Sequence, residues 1–342
     1  MMSLVPSAHS DLKYLSRDIR AVENKEHRRC TERDRSACYN SCMLVIVQPV
    51  GHLCNRLILF AHLVAFARKY RLMLVNLAFE EFAPLFPATQ GDLLCRYPPA
   101  LPLLPRVKPT APRRRRLFRL GMRLMRDAEA GRLPPLFLPC RLPDGQAFSL
   151  DAAFAGLARR RVVLLGGWLF RDAGSLAEEA PAVRPFFRPQ ASVEEAAQQA
   201  VRSARAGYDL LIGVHRRGGD YSHFEGGRYY YTPAQYAALL ARTTALFAPL
   251  RPAFLFCSNE PLEAAAFAGF PVTFGLGDQM EDLYALAACD YLIGPPSTYT
   301  TWASFYGQVP LCHVMHPDMA FTRDDFHLSQ PWGQMFGREA VP

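Results

Sequence analysis

The stretch HRRGGDY, residues 215–221, gathers two guanidinium groups, an imidazole, a carboxylate and a phenol around two glycines. Arginine offers a planar fork of N–H donors that suits phosphate oxygens, and Gly218 and Gly219 allow a backbone to approach a ligand closely. An apolar run, Leu210 to Val214, stops directly before it. Charge this dense at the end of a buried strand rarely serves packing, so the stretch reads as anion-binding chemistry rather than as a turn with solvated arginines. A second stretch, GPPSTYTTW at 294–302, follows one apolar run and opens a predicted helix. Ser297 and Thr298 fall at its N-cap or first turn, where N–H groups and the helix dipole favour negative charge. Placed in the same sheet as Arg217, this helix start becomes a second hand on an anion.

The elements that must position these residues alternate as strand, loop and helix. MLVIV from Met43 is a fully apolar strand, CNRLILFAHLVAFARKY carries helical spacing, LMLVNL is the next strand, and RVVLLGGW at 161–168 is a later one. The second half predicts strands at 209–214, 253–257, 271–274, 289–293 and 309–314, and helices at 191–205, 233–247, 260–268, 279–288 and 298–306. Such alternation argues for parallel sheets with helices on both faces, in which ligands bind at the carboxyl ends of strands. The fold class expected is α/β, as two Rossmann-like domains facing a cleft. Residues 1–42 are polar and without periodicity and read as a poorly ordered extension, with Met43 a candidate functional start. The domains are then 43–188 and 189–342, the first with a proline- and arginine-rich excursion at 98–145.

With 342 residues, half of them hydrophobic, the chain can build two ordinary cores. Its net charge of +8 favours anionic partners without choosing among them. Nucleic acid is not expected, because the basic run is not interleaved with aromatics and no helix-turn-helix, RRM or zinc-finger pattern occurs. Nine scattered cysteines contain no CxxC pair, and His27 with Cys30, Cys38 and Cys42 matches no common zinc spacing. Cys54, Cys257, Cys289 and Cys312 lie in apolar segments and should pack as free thiols, which suits a reducing compartment. No signal pattern or 18-residue apolar run is present, so a cytoplasmic location is expected. The segment PRRRRLFRLGMRLMR, with seven arginines from Arg113 to Arg126, reads as a basic amphipathic helix: a solvated face, or a peripheral contact of 113–126 with an anionic inner-membrane surface.

The pattern His-x-Arg-x-Gly-Asp-Tyr, as His215, Arg217, Gly219, Asp220 and Tyr221, resembles the signature loop of the fucosyltransferase superfamily. GHLCNRL resembles the family's glycine-rich turn at Gly51, Asn55 and Arg56, with Cys54 in place of a glycine. QMEDLYALAACDYLIGPPSTYTTWASFYG resembles its C-terminal motif at Asp282, Ser297, Thr298 and Trp302. Many members carry a second arginine where this chain has Gly218, and Arg216 is additional. The resemblance implies a two-Rossmann glycosyltransferase that inverts the anomeric centre, needs no cofactor or metal, and takes GDP-fucose as donor and a glycan hydroxyl as acceptor. It puts the β-phosphate on Arg217 and the nucleotide near His215, Gly219, Asp282, Ser297, Thr298, Asn55 and Arg56, with the acceptor side in the first domain.

An inverting transfer needs a base. Asp220, three residues after the phosphate arginine, is the first candidate, with anchoring of the loop as its other reading; His52 and Glu225 come after it. The chain also lacks the Asp-x-Asp pair with which a metal-dependent transferase typically holds its ion. Of Tyr229, Tyr230 and Tyr231, one or two should pack and one remain for a sugar face. Three alternatives stay open: a transferase of the same fold using another sugar nucleotide, a degenerate relative in which Gly218 and Cys54 mark lost function, and, less favoured, a nucleic-acid-binding protein.

Overall fold

The computed structural model describes residues 43–99 and 109–329. The expected N-terminal extension, with His27, Cys30, Cys38 and Cys42, lies outside the described residues, as does part of the 98–145 excursion. The chain divides into two compact units between Phe186 and Phe187.

The first unit opens with β1 (Met43–Ile46) and α1 (Leu53–Tyr70), an almost wholly buried helix that Arg71 stops by entering the left-handed region at φ 53°. Next come β2 (Met73–Asn76), a single helical turn Pro87–Gln90, and α2 (Ala111–Glu129). β3 (Phe137–Arg141), β4 (Phe148–Ser149), α3 (Ala152–Ala158), β5 (Val162–Gly166), β6 (Phe170–Arg171) and α4 (Ala173–Val183) complete it. Asp151 and Asp172 cap α3 and α4, accepting from the amides of Phe154 and Ser175, each at 2.8 Å. The main sheet runs β2-β1-β5-β3, all parallel. β3 carries Pro139, which has no N–H for a ladder. It sits at the sheet edge, where only one side needs pairing.

α2 is the predicted basic helix, longer than expected, and one of its arginines departs from the basic face. Arg114 is 3% exposed. Its guanidinium turns inward and donates to the carbonyls of Thr89 (3.0 Å) and Gln90 (2.7 Å) and to the Cys95 thiol (3.2 Å). The turn at 87–90 ends there: the Thr89 carbonyl also accepts the Asp92 amide at 3.1 Å, and Arg114 adds charged donors to the last two carbonyls. Gly121 and Met125 lie on the same buried stripe as Arg114.

The second unit holds α5 (Ala191–Arg205), β7 (Leu210–Arg216), α6 (Pro233–Phe247), β8 (Pro252–Ser258), β9 (Val272–Phe274), α7 (Gln279–Leu286), β10 (Tyr291–Gly294), α8 (Thr298–Gly307), β11 (Pro310–His313) and β12 (His327–Leu328). Its sheet order is β12-β11-β10-β7-β8-β9, parallel except for β12. This is the doubly wound order, with its switch point between β7 and β10. One face buries Ile212, Val214, Tyr236, Leu240, Phe254, Phe256 and Ile293 together. Gly213 faces the other side, where an added Cβ would stand 2.6 Å from Leu292 and 2.7 Å from Leu286, so the α7 layer lies directly on the strand. Cys54, Cys257, Cys289 and Cys312 are buried free thiols, as expected.

The helix expected at 260–268 is not formed. Only a 3-10 turn, Ala264–Phe267, is present. Pro261 biases the residue before it away from the helical region.

The docking of α2 yields a stability test. Arg114→Ala should lower the unfolding free energy by about 2–4 kcal/mol, because carbonyl acceptors lose charged donors in a buried place. Arg115→Ala, on the exposed side, should stay within about 0.5 kcal/mol. Urea denaturation of the two variants against the parent chain measures both.

Candidate anion-binding site at the sheet switch point

β7 is central in its sheet and apolar from Leu210 to Val214, so it is buried on both faces until its last residues. At a switch point the connections leave neighbouring strands toward opposite faces, which opens a crevice at their carboxyl ends. The two stretches singled out by their chemistry, 215–221 and 294–302, follow these two strands.

On the β7 side the chain turns sharply. Gly219 has φ +56°, a conformation that favours glycine. The Gly218 amide donates to Asn259 Oδ1 at 2.7 Å and the Gly219 amide to Glu260 Oε1 at 2.6 Å. Arg216, only 5% exposed, pairs with Glu260 Oε2 at 3.1 Å and lies over the Tyr230 ring at 5.5 Å. Arg217 is half-buried, with its guanidinium over Tyr221 at 5.5 Å. The Tyr221 hydroxyl donates to the Pro296 carbonyl at 2.9 Å and so ties this turn to the β10 side. Asp220 lies in the 3-10 turn Gly219–Ser222; its side chain is outside what the structure describes. Of the three consecutive tyrosines, Tyr229 and Tyr231 are packed and Tyr230 is 37% exposed, the split expected.

On the β10 side, Pro295, Pro296 and Ser297 are buried, and Ser297 is the N-cap of α8, its Oγ accepting from the Tyr299 amide at 3.1 Å. Thr298 is the first residue of the helix and half-buried. Tyr299 stacks on His215 with ring centroids 4.8 Å apart, and its hydroxyl donates to the Gln279 carbonyl at 2.7 Å. Gly294 makes this close approach possible, since a Cβ there would meet the His215 carbonyl at 2.7 Å. His215 is 4% exposed, and burial pulls its imidazole down to about 3, helped by the charge of Arg217. It is therefore neutral at ordinary pH.

Asp282, in α7, is 6% exposed and accepts from the Leu276 amide at 2.6 Å. Burial raises its pKa, and amide bonds from Leu276 and Gly277 offset part of that. An added Cβ at Gly275 would lie 2.5 Å from Asp282 Oδ1, so in this state the carboxylate anchors the loop after β9. Asn55 and Arg56 belong to the first unit. Arg56 binds the turn carbonyl of Gly51 and the Ala78 carbonyl, each at 3.3 Å, pairs with Glu81 at 3.3 Å and covers Phe82 at 4.8 Å. Trp302 is fully buried and packs edge-on against Phe187 at 5.1 Å. Among the described residues no three His, Cys, Asp or Glu side chains converge on a cation site.

The structure thus brings His215, Arg217, Gly219, Ser297 and Thr298 to one switch point, with Asp282 on the neighbouring helix. Sequence reasoning missed Asn259 and Glu260, which hold the glycine turn. Their signal was present: SNE follows the apolar run of β8 as HRR follows that of β7.

The architecture is that of a doubly wound α/β protein. More particularly, it matches the structure of a point mutant of Arabidopsis thaliana FUT1 in complex with GDP, at TM-score 0.50 and 15% identity over 99% of this chain and 88% of that one. The fucosyltransferase NodZ from Bradyrhizobium matches at TM-score 0.49 and 16% identity, over 82% and 98%. No protein-family profile matches the chain, and no curated protein sequence does. The likeness to FUT1 is one of fold.

The buried imidazole gives a pH prediction. Unfolded, His215 titrates near 6.5; folded, near 3. Between these values the unfolded chain binds the extra proton, so stability rises with pH through the window and is lost as pH falls. The slope of unfolding free energy between pH 6 and pH 4 should decrease by about one proton in His215→Asn, by denaturant titration at several pH values.

Proposed function

We propose that this protein is a glycosyltransferase that moves fucose from GDP-fucose to a glycan hydroxyl, with inversion and without a divalent metal. The observation that carries the reading is the pairing, at one switch point, of the Arg217 turn with the start of α8 through the Tyr221–Pro296 hydrogen bond. A guanidinium and a helix N-terminus that face the same strand ends suit a nucleoside diphosphate. The choice of GDP-fucose rests on the resemblance of the three motifs, and the fold shared with a GDP-bound fucosyltransferase supports it.

In this reading the acceptor oxygen forms a bond to the anomeric carbon of fucose as the bond from that carbon to the β-phosphate oxygen breaks. The departing GDP gains negative charge, which Arg217 and the α8 dipole stabilise. Asp220 takes the acceptor proton. Neutral His215, buried and stacked on Tyr299, packs beneath this turn without adding charge. The first unit supplies acceptor recognition.

The basic helix α2 supports a further part of this reading, contact with an anionic lipid surface. Arg115, Arg116, Arg119, Arg123 and Arg126 are exposed. At about 100° per residue they share one side of the helix, and Leu120 beside them is 48% exposed. The carboxylates at the helix end are engaged elsewhere, Asp127 with Arg132 at 3.3 Å and Glu129 with Arg141 at 2.6 Å. No helix among the described residues is long and apolar enough to cross a membrane, so the contact would be peripheral.

A GDP-fucose transfer assay on an acceptor panel tests the activity. Arg217→Ala should lower the rate by about 10²-fold or more through loss of leaving-group stabilisation, with Arg216→Ala milder, and excess EDTA should change nothing. A larger loss at Arg216, or strict dependence on magnesium or manganese, would contradict the assignment.

The membrane contact is tested with vesicles. Binding to anionic vesicles should be salt-sensitive, at about 1 kcal/mol for each arginine near the surface. It should weaken when Arg115, Arg116, Arg119 and Arg123 become glutamine, with Arg114 left in place to hold the helix. Equal binding to neutral vesicles would return α2 to a solvated basic face.

A further inference from the structure

β5 is apolar from Val162 to Leu165 and ends in Gly166, followed by Gly167 and Trp168. Gly167 has φ +105°, and a Cβ there would stand 2.9 Å from the Leu142 side chain, so the strand leaves its sheet through a turn that suits only glycine. The chain then enters β6, where the Arg171 carbonyl accepts the Leu150 amide at 2.7 Å, and Asp172 caps α4 directly after it. The backbone at Arg171 is thus pinned from both sides. Its guanidinium lies over the Trp168 ring at 4.9 Å, and Nη1 donates to the carbonyls of Trp168 at 2.6 Å and Phe170 at 3.0 Å. A guanidinium carries five N–H donors. Among the described residues, Nε and Nη2 of Arg171 have no hydrogen-bond partner, and no carboxylate pairs with it.

The charge sets this residue apart. Arg171 is half-buried, and burial pulls its guanidinium down to about 10 with no acid acting in the other direction. It stays a cation at ordinary pH, held partly out of water without an anion, and such an arrangement costs stability. Arg141, at the end of the neighbouring strand β3, is answered: Glu129 meets it at 2.6 Å and Gln48 at 2.9 Å. Arg114 spends both terminal nitrogens on two carbonyls and a thiol. Arg171 does neither. It stands just past the carboxyl end of an inner strand of its sheet, the place where open α/β sheets take ligands.

We propose that Arg171, seated on Trp168, is a specificity-determining residue for the acceptor: its unused donors take the carboxylate of a hexuronate residue in an acidic glycan. The role rests on the reading above, in which the first unit recognises the acceptor. A planar fork of donors matches two carboxylate oxygens, which an ammonium group does not. The bound carboxylate supplies the counter-charge that the protein leaves out, and a neutral sugar of the same shape does not.

The test is calorimetric titration of the full chain with oligosaccharides that contain glucuronate or galacturonate, each beside the same oligosaccharide with its carboxyl groups reduced to alcohols. The parent chain should bind one of the acidic forms about tenfold more tightly than its reduced form, the scale of one charged hydrogen bond. Arg171→Gln keeps N–H donors for the two carbonyls but no charge. It should bring the acidic and reduced forms within about twofold of each other, with binding of the reduced form unchanged. Arg171→Lys, charged but without the fork, should recover part of the preference. Trp168 is the local reporter: the acidic oligosaccharide should change the tryptophan emission of the parent, and Trp168→Phe should abolish that change while the preference remains. The basic face of α2 could also attract acidic sugars, so the variant with glutamine at Arg115, Arg116, Arg119 and Arg123 must keep the preference. Equal binding of acidic and reduced forms by the parent, a preference that survives in Arg171→Gln, or one that disappears with the α2 arginines would overturn the role. Thermal melts show whether a variant is folded, and general damage would weaken both forms alike. Titration with GDP separates this role from the donor reading: Arg171→Gln should bind GDP as the parent does. A parent chain that binds GDP without preferring an acidic form loses the role alone, and one that does not bind GDP loses the donor reading and the acceptor role with it.

Discussion

The connections from β7 and β10, adjacent parallel strands, run to opposite faces of their sheet, and the site follows from that constraint. Strands that part in this way leave their carboxyl ends uncovered, so the backbone there cannot finish its hydrogen bonding within the sheet. The chain satisfies the β7 end with side chains from the β8 loop and the β10 end with the Ser297 cap. The Tyr221–Pro296 bond closes the two into one surface. Remove the switch point, and Arg217 and the start of α8 would have no reason to be neighbours.

The two units treat arginine differently from one position to the next. Arg56 and Arg114 are fasteners: each gathers backbone carbonyls of a loop or short turn. Arg216 is a fastener of another kind, balanced by Glu260 beneath the glycine turn. Along the outer side of α2, Arg115, Arg116, Arg123 and Arg126 are exposed, and Arg119 donates to the Arg115 carbonyl of its own helix at 3.4 Å. A count of positive charges therefore says little about anion binding here until those that serve the fold are set aside.

The strand and helix alternation was legible because buried parallel strands are continuous apolar runs and their helices keep a 3.6-residue period. β7, β8, α6 and α8 fall within a residue or two of where the sequence put them. β3 was hidden by Pro139, tolerable only because the strand proved to lie at an edge, and sheet order is not written in one strand's composition. The inward turn of Arg114 was hidden because its partners, at 89, 90 and 95, belong to one short helical turn and the loop after it, too short to show a period. Residues 215–221 and 297–298 could be singled out as chemically unusual. Asn259 and Glu260 could not be joined to them, because that requires the register in which Arg216 lies beside Ser258, 42 positions along the chain.

The chain passes from one compact unit to the other only between Phe186 and Phe187. Each half is thus an unbroken run of sequence, and among the described residues neither borrows a strand for its main sheet from the other. The proposed donor-recognition residues after that crossing form a heritable block of their own. Under the function proposed above, gene fusion or recombination at this junction would exchange the half proposed to read the acceptor and keep the half proposed to hold the nucleotide. A sequence divided at a single junction lets one unit change without rebuilding the sheet of the other.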